Sequence, residues 1–270
     1  MIALAGDEET MGELGTGYLI KNVESVRRAN AVICGDAGSP NVIRIGEKGL
    51  VWMDIEATGT AAHGAHVHKG VNAIERLMKA VHRVKKIENM LIETMLEVST
   101  VIQEAKSVSE PLGGQGEADT LEKVTVNVGK IFGGTSPNLV PDKATASLDI
   151  RLPEGISTEG LERRVWQCLN DLPGVTYHIR NKYEPSFTSP DEKIVQDARA
   201  AVEAIMENEF VVNMRVGASD TRLFRRAGIP SVVIGLTPYN MGGPDEYCLT
   251  EELLQVCKIH ALTAWKFLQP

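Results

Sequence analysis

"LVWMDIEATG", residues 50–59, is the run on which the reading of the fold turns. Val51, Met53, Ile55 and Ala57 alternate with Trp52, Asp54, Glu56 and Thr58. A period of two marks a strand with one face on a core and the other toward water, as in an antiparallel sheet. "KVTVNVGKI" (123–131) and "ATASLDIRL" (144–152) repeat the pattern, and "VTYHIRNKY" (175–183) offers a fourth strand. Two helices accompany them. One carries Val71, Ile74, Leu77, Met78, Val81 and Val84 on one face, and the other runs from Ser157 to about Leu169. Four antiparallel strands covered by two helices make a compact domain of their own.

Outward from that block the pattern changes. "MIALA" (1–5), "ANAVIC" (29–34), "FVVNMRV" (210–216) and "PSVVIGL" (230–236) are short continuous apolar runs, the mark of buried parallel strands. A helix is predicted from Thr221 to Arg226, stopped by Gly228 and Pro230. "SPDE" (189–192) reads as a capping box with Pro190 at the first helical position, opening a helix to about Met206. Thr250 is expected to cap a last helix with an apolar stripe of Leu253, Val256, Leu262 and Trp265. The expected organisation is an α/β domain formed by 1–48 and 185–270, interrupted by an α+β domain at 49–184. "SEPLGGQGEADT" (109–120) reads as a Gly-rich loop inside the inserted domain.

The chain has 270 residues and a net charge of −8, with a pI near 5.4. That charge argues against a nucleic acid or a membrane surface as the main partner. No apolar stretch is long enough to span a bilayer, and "MIALAGDEE" lacks the basic start of a signal peptide. Cys34, Cys168, Cys248 and Cys257 lie far apart in no metal-ligand spacing, so reduced thiols in a cytoplasm are expected.

The chemistry-bearing residues sit mostly at strand ends. In "LAGDEETMGELG" (4–15) the neighbouring acids Glu8 and Glu9 leave a strand end in diverging directions. One can then bind a metal while the other faces substrate as a general base, although an acidic turn capping a helix at Gly15–Ile20 accounts for them too. "CGDAG" (34–38) puts Asp36 at the next strand end, and ligands in open α/β sheets gather at carboxyl ends of strands. His63, His66 and His68 cluster tightly enough to suggest a mononuclear metal site of their own, or only a surface loop. In "VGASDTR" (216–222) Ser219 or Asp220 is placed to cap a helix, and Arg222 could clamp a carboxylate through two parallel bonds. Asn138, in "GGTSPNLVP" (133–141), is either a turn former or a donor to substrate.

Taken in order, "GDEE", "CGD", "IGEKG" (45–49), "GTAAHGAHVHKGVNAI" (59–74), "GGTSPNLVPDKATASLDIRLP" (133–153), "GASDTR" (217–222) and "GGPDEY" (242–247) resemble the motif series of the M20 metallopeptidases. That family includes acetylornithine deacetylases, succinyl-diaminopimelate desuccinylases, aminoacylases and carboxypeptidase G2-like enzymes. The resemblance implies a doubly wound, zinc-peptidase-like catalytic domain, incomplete here, with an inserted ferredoxin-like lid that also makes a homodimer contact. It implies that Glu8 is the general base and that Glu9 and Asp36 are ligands of a dinuclear zinc centre, cobalt or manganese being alternatives. It implies that His63 stabilises the oxyanion, that Asn138 helps hold substrate, and that Arg222 grips a substrate carboxylate. Two departures stand out. The family's His-x-Asp motif is expected upstream of residue 1, so the chain reads as the C-terminal two-thirds of such a protein. "GGPDE" puts Gly242 where the family has its last histidine ligand. The expected function is metal-dependent hydrolysis of amide bonds in N-acyl amino acids or small peptides. The alternative is an inactive M20-like binding or dimerisation protein.

Overall fold

The computed structural model describes residues 1–269. Its first part holds helices α1 (Thr16–Asn22) and α2 (Glu24–Arg27) and strands β1 (Val32–Cys34), β2 (Val42–Glu47), β3 (Gly49–Thr58) and β4 (Ala62–His63). Then come α3 (Ala73–Lys85), α4 (Leu96–Gly113), α5 (Glu117–Leu121), β5 (Thr125–Gly133), β6 (Leu139–Val140), β7 (Lys143–Leu152) and α6 (Thr158–Leu169). The remainder is β8 (Val175–Tyr183), β9 (Ser186–Phe187), α7 (Lys193–Ile205), β10 (Val211–Arg215), α8 (Thr221–Arg226), β11 (Ser231–Val233) and α9 (Thr250–Phe267). The elements form two compact units: 1–48, 95–121 and 186–270 in one, 49–94 and 122–185 in the other.

The second unit is the alternating block. Its strands run in the order β5-β7-β3-β8, every pair antiparallel. β3 and β7 pair along their whole length, from Gly49 opposite Leu152 to Thr58 opposite Lys143. Val51, Met53, Ile55 and Ala57 are buried, as the period of two requires, and share a core with Leu77, Ala80 and Val84 of α3 and Leu161 and Val165 of α6. Asn72 caps α3 by accepting from the Ile74 and Glu75 amides, and Ser157 caps α6 through the Gly160 amide. Met78, assigned to the apolar face from its spacing, is mostly exposed, and Ala73 and Ala80 line the buried face in its place.

The first unit is a mixed sheet in the order β1-β11-β2-β10, with β9 added on β2. β1 pairs β11 and β10 pairs β2 in parallel, while β11 meets β2 antiparallel. The α/β class and the separate antiparallel sheet are as expected. Several local expectations are overturned.

Residues 95–121 belong to this unit, although the sequence reading kept them in the inserted domain. Their supposed Gly-rich loop is largely helix, α4 running through Gly113 and α5 starting at Glu117. Val98, Val101 and Ile102 of α4 share a core with Ile43, Ile45, Val212 and Met214, and Ala105 of the same helix is buried too. Burying four such side chains outweighs the presence of glycines at the helix end. Residues 1–6 form no strand, and Met1, Ile2 and Leu4 are exposed. Ser189 does not cap α7: its oxygen accepts the Asp191 amide and its hydroxyl donates to Glu97 Oε2, but the helix begins only at Lys193, with Glu192 at the cap. Thr250 is the first residue of α9, with Leu249 at the cap. The buried stripe of α9 is Val256, Ile259 and Thr263, which leaves Leu253 and Trp265 exposed.

Candidate functional site

Within the first unit the acids of interest gather near the ends of β1 and β10. Asp36 lies just beyond β1, where Oδ1 accepts the Ala37 amide at 2.6 Å and Oδ2 accepts Nη1 of Arg215 at 2.5 Å. Arg215, the last residue of β10, went unnoticed in the sequence, where its only signal is a lone cation closing an apolar run ahead of "GASD". Glu8 opens a short 3-10 turn, Glu8–Thr10, and is half-buried, whereas Glu9 is exposed. Burial raises the Glu8 carboxyl above its ordinary value, and the negative charges of Asp36, Asp220 and Glu9 push the same way, against Arg215. A carboxyl so placed holds a proton more readily than a surface glutamate. Burial also pushes the neighbouring Cys34 thiol up to about 11, so it is not a nucleophile at neutral pH.

The turn bearing the two acids is strained. Asp7 and Met11, at its two ends, have φ of 74° and 86°. Left-handed geometry at non-glycine residues costs on the order of 1–3 kcal/mol each and persists only where surroundings impose it. Gly12, at φ 66°, follows at once, and a Cβ there would lie 2.2 Å from Oδ1 of Asp220.

Arg222, which the sequence assigned to a substrate carboxylate, is only 2% exposed. It donates through Nη1 to the Ser219 carbonyl and through Nη2 to the Met11 carbonyl, each at 2.6 Å. Neither Ser219 nor Asp220 caps α8. Ser219 donates to Glu47 Oε2 at 3.0 Å, and Asp220 Oδ2 accepts the Thr16 hydroxyl at 2.6 Å.

In the second unit, β4 and β6 form a small ladder that pairs His63 with Leu139. The Gly64 amide donates to the Asn138 carbonyl at 2.6 Å, so His63 and Asn138 are brought side by side. His63 Nδ1 accepts the Ala65 amide, which fixes the tautomer with the proton on Nε2, an exposed donor. His66 and His68 follow on the same exposed turn, with ring centroids 6.2 Å and 5.9 Å apart along the series.

Among the described residues, no three His, Cys, Asp or Glu side chains converge to hold a metal ion. Of the expected carboxylate ligands, Asp36 is engaged by a guanidinium and Glu9 faces solvent. Gly242 has φ 72°, nothing within 4 Å of the Cβ it lacks, and an amide that donates to Glu246. A histidine there would meet open space but a strained backbone. The donor set present therefore does not fit a complete dinuclear centre.

Residues 45–176 match the model of a peptidase dimerisation domain, M20_dimer. An uncharacterized metallohydrolase of Methanocaldococcus jannaschii is 23% identical over 96% of this chain and 63% of its own length. A succinyl-diaminopimelate desuccinylase of Rhodospirillum centenum is 24% identical over 96% of this chain and 62% of its own. Among solved structures, an M20 family metallo-carboxypeptidase from Sulfolobus solfataricus superposes with a TM-score of 0.75 at 20% identity, covering 97% of this chain and 69% of that one. Together these define the class, a mixed α/β frame that carries a peptidase dimerisation domain. The chain is thus similar to M20 peptidases, most directly through the dimerisation domain matched at 45–176. It spans less than two-thirds of the length of these two curated relatives.

Proposed function

We propose that this chain contributes the proton-transfer and substrate-holding part of an M20-type amide hydrolase acting on N-acyl amino acids or small peptides. The supporting observation is Glu8, half-buried in its 3-10 turn, whose carboxyl is raised by burial and by the charges of Asp36, Asp220 and Glu9. In this reading Glu8 takes a proton from the attacking water and delivers it to the departing nitrogen. His63 offers its Nε2 proton to the carbonyl oxygen as negative charge develops there, and Asn138 holds the substrate. Both come from the domain that also joins two copies into a homodimer. A soluble, cytoplasmic setting accords with the acidic composition. Metal dependence belongs to the proposal through Glu9 and Asp36 alone, and no step is assigned to the metal because the described donors do not complete its site.

The test is release of free amine from N-acetyl and N-succinyl amino acids and from dipeptides, with zinc, cobalt or manganese in excess. Slow, metal-dependent release that Glu8→Gln abolishes is expected. Release that Glu8→Gln leaves intact, or none with any metal, would overturn the assignment. Zinc titration by calorimetry should show only weak binding, since stable zinc sites need three or four protein ligands. Gly242 favours a second reading, a non-catalytic binding or dimerisation protein. That reading gains if the substrates bind and the chain dimerises with no hydrolysis under any condition.

A further inference from the structure

Four contacts converge on the strained turn that presents Glu8 and Glu9, and two residues of "GASDTR" supply three of them. Arg222 Nη2 reaches the Met11 carbonyl at 2.6 Å, immediately after the turn. Its Nη1 is anchored on the Ser219 carbonyl at the same distance, so the guanidinium bridges the start of α8 to the turn. Asp220 Oδ2 accepts the hydroxyl of Thr16, which is 4% exposed and opens α1 on the far side of the turn. Asp220 Oδ1 is buried without a hydrogen-bond partner and sits where a side chain on residue 12 would have to go. The fourth contact is internal, Asp7 Oδ2 accepting the Leu14 amide at 2.7 Å.

We infer that Asp220 and Arg222 are positioning residues that clamp the segment 7–16, and with it Glu8, and that Arg222 does not contact the substrate carboxylate. The functional half of this inference rests on the proposed role of Glu8, whereas the clamp itself does not. An arginine with both terminal nitrogens spent on backbone carbonyls, and almost no exposed surface, has no fork left to offer a ligand. Two residues forced to positive φ need a constraint: the clamp fixes the chain at Met11 and Thr16, on the C-terminal side of the turn, and the Asp7 end is tied to that side through the Leu14 amide. Gly12 is required where the clamp closes, because any side chain would strike the Asp220 carboxylate.

The test is amide hydrogen exchange on the full chain carrying Arg222→Met, Arg222→Lys or Thr16→Val. The amides of Gly12, Leu14 and Gly17, all bonded within the turn region, are the reporters, and those of α7 are the control. Arg222→Met and Thr16→Val should each speed exchange at the reporters at least tenfold while α7 stays protected. Arg222→Lys, able to reach one carbonyl, should fall between. If Arg222→Met also exposes α7, the single hydroxyl removed by Thr16→Val decides the question. Unchanged reporters in Thr16→Val would overturn the clamp. These readouts need no activity, so they stand apart from the hydrolase assignment. Where hydrolysis is measurable, kcat should fall in Arg222→Met while the KM ratio between an N-acyl amino acid and its neutral amide stays fixed. A rise in that ratio would return Arg222 to the substrate and overturn the inference.

Discussion

Replacing Glu117 with alanine should be among the most damaging single changes in the first unit. Its side chain is 4% exposed and Oε1 pairs with Arg44 Nη2 at 3.0 Å, the arginine being 10% exposed. Oε2 accepts the Ser109 hydroxyl, and Ser109 in turn accepts from Asn213 of β10 at 2.9 Å. Arg44 also donates to the Met214 carbonyl at 2.6 Å, so one network ties α4 and α5 to β2 and β10. Alanine would leave a guanidinium buried without its counter-charge, a change that costs about 3–5 kcal/mol. At a urea dependence of about 2 kcal/mol per molar, the midpoint should fall by roughly 2 M. Urea unfolding followed by the fluorescence of Trp265, in α9 of the same unit, reads that shift. The double change Arg44→Met with Glu117→Met should recover about half of the loss, since apolar pairs often replace buried ion pairs at little cost. Recovery stays partial because the Met214 carbonyl loses its Arg44 donor and the Ser109 hydroxyl loses its Glu117 acceptor. A loss under about 1 kcal/mol for Glu117→Ala would refute the reasoning, because it would mean that Arg44 finds solvent and that 95–121 is not held as described.

Three further outcomes follow from the geometry. His260 donates from Nε2 to the Ile234 carbonyl at 2.7 Å, and burial lowers its pKa below the ordinary 6.5, so the native state resists its protonation. Stability should therefore decline as pH falls below about 6.5, and His260→Gln should flatten that decline in thermal melts. Segment 49–185 produced alone should fold its sheet but be cut by protease within 95–121, a stretch that resists cutting in the full chain; equal resistance in both would place α4 with the second unit. Leu77→Ala, at a site with no exposure, should cost about 2–5 kcal/mol in unfolding of the second unit without altering exchange in α7.

The antiparallel unit was legible because each of its strands has one wet face, and Val51 through Ala57 reports that directly. The mixed sheet was not. β2 is buried along its whole length and yet contains Arg44 and Glu47. Their partners, Glu117 and Arg225, are 73 and 178 residues away, so the run gave no pattern until the chain was folded. The same long-range pairing hid the allegiance of α4, whose buried face is ordinary for a helix and names no neighbour. At the site, Glu8 and Asp36 were singled out from local order, and the fold sets the Asp36 charge near enough to Glu8 to help raise its carboxyl. Arg222 was singled out for a substrate carboxylate, because nothing local tells that the Met11 carbonyl lies within reach of its donors. Arg215 was missed for that reason, since its contact with Asp36 joins residues 179 positions apart.

The placement of α4 also bears on how the chain emerges during synthesis. The chain passes between the two units four times, at 48–49, 94–95, 121–122 and 185–186. β10, against which α4 lies, begins about 100 residues after α4 ends. At a translation rate of about 5–20 residues per second, the apolar face of α4 waits roughly 5–20 seconds for that strand. The intervening alternating sheet is complete once residue 185 has been made, well before the unit whose segments flank it. During synthesis the alternating sheet can therefore close while the apolar face of α4 still lacks β10, and that face is the surface a nascent-chain chaperone would meet.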